Sequence, residues 1–293
     1  MKNLLMRFSS FRKAKERFVA GETLDELVTV VKRLNSSGMK TSVDYLGENV
    51  SSPEQAAMNK AMYFSLLDRI RHEHLDSHVS VKLTALGLDI NEHICAQNLE
   101  DIVAKVRDTG SFVRIDMENS PYTERTLQAY RTVRRKYSHV GAVIQSSLYR
   151  SQQDVMGLIK EDIANIRLCK GAYLEAKTIA FPQKKDVDQN YLVLAKLLAE
   201  STYTNDVYPA YATHDEKMIT SIKNHTKKIG LPLQWFEFQM LYGIRPDLQK
   251  QLMDEGYIVR VYVPFGKDWY GYFCRRLAER PANVWFVMKN LFR

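Results

Sequence analysis

Ionisable and amide side chains recur in this chain where buried strands should be apolar. Eight short runs rich in β-branched or aromatic residues carry them toward their C-terminal ends. They are Asp44; Lys82; Asp116 and Glu118; Gln145; Arg167 and Lys170; Thr213 and His214; Glu237 and Gln239; and Tyr262. Burying such a group is costly unless it is partnered. One buried lysine or aspartate is ordinarily a paired structural group, but repetition in all eight runs points to a shared polar pocket. Its inventory suits anion binding, proton transfer or, through Lys82 or Lys170, Schiff-base chemistry. A second cluster, Tyr272-Phe-Cys-Arg275-Arg276-Leu-Ala-Glu279-Arg280-Pro, reads as helical. Arg275 and Glu279 are then i,i+4 neighbours, as on any solvated helix. The adjacent arginines can converge on one anion only if the helix caps a pocket, where guanidinium forks grip carboxylate or phosphate bidentately.

The runs that must position these groups are residues 41–47, 79–87, 112–119, 140–149, 166–175, 207–215, 236–243 and 259–266. They predict eight strands. Helical periodicity lies between them at 53–71, 123–137, 188–202 and 246–255. Strands alternating with helices imply a parallel sheet, and eight units imply an α/β fold of the closed (β/α)8 type with its site at the C-terminal face of the strands. Residues 1–40 are expected to form a helical extension, residues 41–293 the barrel, and 269–293 its final helix and tail.

Composition narrows the classes. The 293 residues are 45% hydrophobic and 26% charged, enough to build a large core and too apolar for a disordered chain. No stretch is apolar enough to span a bilayer, and the start does not read as a secretory signal. Cys95, Cys169 and Cys274 form neither a disulfide framework nor a zinc pattern and suit a reducing compartment. The net charge of +8 calls for an anionic partner. Part of it is local, since Lys2, Arg7, Arg12, Lys13, Lys15 and Arg17 face one acid, Glu16, in an amphipathic basic start. Dinucleotide, P-loop and nucleophile-elbow motifs are missing. His72, His74 and His78 read as a solvated helix end rather than a metal site.

The strings VSVKLTALG, RIDMENSPYT, RLCKGAYLE, YPAYATHD, FEFQMLYGIRPDLQ and RVYVPFGKDWYGYFCRRLAERPAN resemble, in order, those of the proline dehydrogenases in their short monofunctional bacterial form. They cover residues 40–285. The resemblance implies a distorted (β/α)8 barrel that holds FAD non-covalently and oxidises L-proline to Δ1-pyrroline-5-carboxylate. Electrons then pass to a membrane quinone. The chain has no room for an aldehyde-oxidising or DNA-binding domain, so a separate pyrroline-5-carboxylate dehydrogenase takes the product and nucleic acid is not a partner. A cytoplasmic protein with transient contact at the inner face of the cell membrane follows.

By that resemblance Arg275, Arg276 and Lys82 grip the substrate carboxylate. Tyr262, Tyr272 and Leu241 pack on the proline ring, Ala172 and Tyr173 complete the substrate side, and Asp116 orders Lys82. Tyr262 leaves no obvious space for a ring hydroxyl, which favours proline over hydroxyproline. Arg167, Cys169, Lys170, Gly171 and Ala172 underlie the flavin. Gln145 bonds its pyrimidine side, Thr213 and His214 lie near ring and phosphates, and Glu279 lies near the ribityl chain. The implied step transfers hydride from proline C5 to flavin N5 with the amine neutral, so the rate rises with pH; no residue identifies itself as a general base. Leu174 replaces a tryptophan of some relatives, and Gln183 an arginine near the adenine end. The alternatives are a Schiff-base lyase, a basic nucleic-acid-binding protein and a hydroxyproline dehydrogenase. The basic start and the tail 284–293 are the candidate membrane surfaces.

Overall fold

The computed structural model describes residues 15–48 and 50–279, with the side chains of 277–279 excepted. In chain order the elements are α1 (Leu24–Ser36), β1 (Lys40–Tyr45), α2 (Pro53–His72), β2 (Ser77–Val81), α3 (Glu92–Arg107), β3 (Val113–Ile115), α4 (Ser120–Arg134), β4 (Val140–Gln145), α5 (Ser151–Lys160), β5 (Asn165–Cys169), α6 (Lys184–Ser201), β6 (Tyr208–Ala212), α7 (Glu216–Lys228), β7 (Glu237–Leu241), α8 (Pro246–Asp254), β8 (Val259–Phe265) and α9 (Trp269–Glu279). All neighbouring strands pair parallel, and β8 returns to β1 to close the barrel. Parallel strands covered on both faces read as nearly continuous apolar runs, and β4 is buried at all six positions.

Local chemistry sets the helix starts. Thr23 and Glu26 form a capping box on α1, and Ser52 caps α2 ahead of Pro53 in its first turn. Leu27 and Val31 of α1 share the main core with Val43 of β1 and Val261 of β8. So α1 takes a place on the barrel wall. The last helix does something else. Trp269, Tyr272 and Phe273 of α9 belong to a separate cluster with Phe18, Val19, Leu46 and Ile244. Leu46 and Ile244 follow the C-terminal ends of β1 and β7, so α9 lies across the mouth of the barrel. This is the distortion of the (β/α)8 plan. Glu22 holds the helix there by accepting from Trp269 Nε1 at 3.1 Å.

Three sequence expectations are corrected. The expected strands run too far at their C-terminal ends: Lys82, Asp116, Glu118, Lys170, Thr213 and His214 follow their strands, in the loops where a barrel builds its site. The strand around Val79 begins at Ser77, which moves His78 from a connecting stretch into β2, where its ring meets Phe112 at 4.8 Å. Three further barrel helices, α3, α5 and α7, fill the gaps. Residues 1–14 and 280–293, which include most of the basic start and the apolar-basic tail, lie outside the described residues.

Candidate active site

The barrel interior is unusually polar from the bottom upward. Arg114 is 1% exposed and donates to the Ala142 and Asn165 carbonyls and to Asn165 Oδ1. Gly141 makes room for it, since a Cβ there would stand 2.3 Å from Arg114 Nη1. Burial, with Arg167 nearby, pulls the Arg114 pKa down to about 9. On β8, Arg260 donates through Nε to both Glu237 oxygens at 2.9 and 3.1 Å.

Above these sits the ionic centre of the site. Lys82 Nζ donates to Asp44 Oδ2 at 2.8 Å, to Asp116 Oδ2 at 3.3 Å and to the Tyr262 hydroxyl at 3.3 Å. The Tyr262 hydroxyl donates to Asp116 Oδ2 at 2.8 Å, and Arg167 Nη1 donates to Asp116 Oδ1 at 2.7 Å. Burial alone would lower the Lys82 pKa, but Asp44, Tyr262, Asp116 and Glu48 outweigh it and raise it well above the ordinary value. Burial raises the Asp44 carboxyl despite the opposing pull of Lys82. Burial also pushes the Tyr262 phenol well up. Lys82 is therefore an ammonium with all three donors engaged. That disfavours the Schiff-base reading, which needs a neutral amine. Lys170 is held likewise by Asp188 and Asp215 at 2.5 and 2.8 Å.

These groups open into a cavity of about 380 Å³, large enough for a small-molecule ligand. Lys82, Asp116, Gln145, Arg167, Cys169, Lys170, Gly171, Ala172, Tyr173, Thr213, His214, Leu241, Tyr262, Tyr272, Arg275 and Arg276 all line it. It thus gathers the site residues that the resemblance implied, apart from Glu279, whose side chain is outside the described residues; Asp44, Glu118 and Glu237, expected in the same polar pocket, do not line it. The mouth helix supplies Tyr272 and the arginine pair: Arg276 stacks on the Tyr272 ring at 5.1 Å, and Arg275 Nη2 donates to Glu48 Oε1 at 2.9 Å. Gln145 Nε2 donates to the Glu118 carbonyl at 2.8 Å, and His214 Nε2 accepts from the Leu241 N–H at 2.9 Å. Leu174 is fully exposed.

Sequence reasoning missed Glu48, Asp188 and Asp215. Each is an acid whose partner is a site cation, a pairing that becomes visible only in three dimensions. Lys184 and Met240 were missed as lining residues. Among the described residues no cluster could hold a metal ion, and no helix is long and apolar enough to cross a membrane.

The family model described as proline dehydrogenase matches residues 27–289. The chain belongs to the proline dehydrogenase family. Proline dehydrogenase 2 of Bacillus subtilis (strain 168) is 41% identical over 291 residues, 99% of this chain and 94% of that one. The proline dehydrogenase of Deinococcus radiodurans is 42% identical over 286 residues, 95% of this chain and 90% of its own. Among solved structures, proline utilization A (PutA) from Bdellovibrio bacteriovorus, inactivated by N-propargylglycine, matches with a TM-score of 0.86 at 27% identity, covering 92% of this chain and 33% of that one. The enzyme class of this chain is therefore proline dehydrogenase, which acts at the first step of proline catabolism.

Proposed function

We propose that this pocket binds L-proline and FAD, that the chain oxidises L-proline to Δ1-pyrroline-5-carboxylate, and that the electrons leave for a membrane quinone. The observation that carries the reading is the meeting of Arg275, Arg276 and two tyrosine rings with the Lys82–Asp116–Arg167 centre in one cavity. A small amino acid has one fixed negative charge and one apolar ring, and this cavity offers cations at its mouth and Tyr262, Tyr272 and Leu241 as apolar walls.

The residues present also fit a flavin. Gly171 has φ +108°, and a Cβ there would stand 2.4 Å from Ser147 Oγ, so bare backbone forms that part of the wall. Gln145, Thr213 and His214 offer polar atoms for the ring and phosphates, and Lys170 and Lys184 offer positive charge. Bound FAD supplies the two-electron acceptor. Arg275 and Arg276 orient the substrate by its carboxylate, Ala172 and Tyr173 close that side, and Lys82 contributes positive field rather than a vacant donor. Proline C5 gives up hydride as the nitrogen lone pair forms the C=N bond, so the amine must be neutral when it reacts. Lys82 stays protonated and the Tyr262 phenol stays neutral, so neither takes the amine proton. The rate accordingly rises with pH. Arg167 stabilises charge added to the flavin side of the cavity. The product passes to a separate pyrroline-5-carboxylate dehydrogenase.

The test is an absorbance spectrum of the purified protein followed by anaerobic L-proline. Visible flavin bands that bleach with proline are expected. A colourless protein that FAD cannot reconstitute would overturn the reading, and bleaching with hydroxyproline alone would move the substrate. The quinone reading implies a membrane-surface contact, tested by co-sedimentation with anionic liposomes. Phe18 and Val19 are buried, so truncation of the basic start in that test must stop before Lys15.

A further inference from the structure

Arg167 is held by more than its ion pair with Asp116. Its Nη2 donates to Ser42 Oγ at 3.0 Å and Ser80 Oγ at 3.1 Å, and its Nε donates to Gln239 Oε1 at 2.5 Å. A guanidinium has five donors, so these four bonds leave one N–H to address the cavity. Gln239 is an amide, and an amide can present either end. Its other end is fixed: Nε2 donates to Glu237 Oε1 at 2.5 Å. Glu237 is 1% exposed and does not line the cavity. Arg260 holds it from the neighbouring strand β8. Despite burial, which would raise it, Arg260 and the hydrogen bonds from Arg260 and Gln239 keep the Glu237 carboxyl below its ordinary value. It is therefore an acceptor only. An acceptor at that point forces the Gln239 NH2 toward it and the Gln239 oxygen toward Arg167.

We infer that Glu237 and Gln239 are positioning residues for Arg167: the buried carboxylate sets the amide's orientation, and the amide oxygen aims the guanidinium at the cavity. This rests on the proposal that the flavin lies in that cavity beside Arg167. In consequence the Arg260–Glu237–Gln239–Arg167 series reaches the flavin's charge from the barrel interior, without touching the substrate carboxylate.

The experiment uses the flavin-loaded full chain and starts with the unchanged protein. If that protein holds no flavin, the functional reading fails. If it bleaches with proline, the variants then test this inference alone. Gln239→Met keeps the volume and removes both bonds. Its limiting rate of flavin reduction should fall about tenfold or more, while the proline dissociation constant stays within about twofold. The midpoint potential of the bound flavin should become more negative, because a cation beside a group that gains electrons favours its reduced form. Glu237→Gln should move rate and potential the same way. Combining the two should be no worse than Gln239→Met alone, since residues acting through one another are not additive. If Glu237→Gln fails to fold, pairing it with Arg260→Gln keeps a neutral hydrogen-bonded pair and carries the same expectation. Unchanged potential with loss of melting temperature only, or effects of the two variants that multiply, would overturn the inference.

Discussion

Replacing Lys82 by methionine tests the ionic centre most directly. Lys82, Arg167, Asp44 and Asp116 balance as two positive and two negative charges within hydrogen-bond contact. Without Lys82, Asp116 keeps Arg167 at 2.7 Å, whereas Asp44 loses its salt-bridge partner. Asp44 is 1% exposed and its Oδ1 already has no partner. Removing one member of a buried ion pair costs about 3–5 kcal/mol, so a loss of that size is expected near neutral pH. The loss should depend on pH with a definite sign. The Asp44 carboxyl is already raised by burial in the folded protein, and loss of the ammonium raises it further. A raised folded value means that stability is complete below the ordinary carboxylate range, about 4, and is lost as pH rises through the raised value. The gap between variant and parent should therefore be small in acid and widen toward neutral pH. Urea unfolding of both proteins across that range measures it. A gap independent of pH, or below about 1 kcal/mol throughout, would refute the assignment of Asp44 as the orphaned charge.

Gly171→Ala should lower the flavin bound per chain and the melting temperature together, since a Cβ meets Ser147 Oγ at 2.4 Å on backbone that L residues avoid; flavin released on denaturation reports the first. Arg276→Met should raise KM for proline about ten- to a hundredfold, the worth of a charge-assisted hydrogen bond of about 1.5–3 kcal/mol. Arg275→Met should raise it less, because Arg275 is more exposed and already shares Glu48. Tyr262→Ala should open space beside the substrate ring and raise kcat/KM for hydroxyproline relative to proline.

The eight strands were legible because doubly covered parallel strands are dense in Val, Ile, Leu and Phe, as in VGAVIQ of β4. Their ends were not, because Lys82, Asp116 and His214 look like strand residues until the backbone turns away from the ladder. The polar groups themselves were the better signal: Asp44, Asp116, Arg167 and Tyr262 do converge, joined through Lys82 and Asp116. Glu48 was invisible because an acid in a loop is ordinary and only its partner Arg275, 227 residues away, gives it meaning. The placement of α9 was also illegible from periodicity. An apolar face on Trp269, Tyr272 and Phe273 shows that a helix is buried but not against what. Adjacency on a helix marked Arg275 and Arg276 as a possible anion grip only if that helix capped a pocket, and the pattern alone did not say that it does.

The position of α9 has a consequence for synthesis. Chains emerge N-terminus first, and domains fold as units while that happens. Each strand can pair with a sequence neighbour as it emerges, but the second edge of β1 must wait for β8, and the Thr41 carbonyl accepts from Arg260 across 219 residues. The helix bearing the arginine pair emerges later still, and its bed is built from Phe18, Val19 and Leu46, among the earliest residues made. A growing chain therefore carries Gly171 and the ionic acids well before it carries Arg275 and Arg276. A chain cut short before that helix lacks Tyr272, Arg275 and Arg276 from the cavity wall, so its pocket is incomplete.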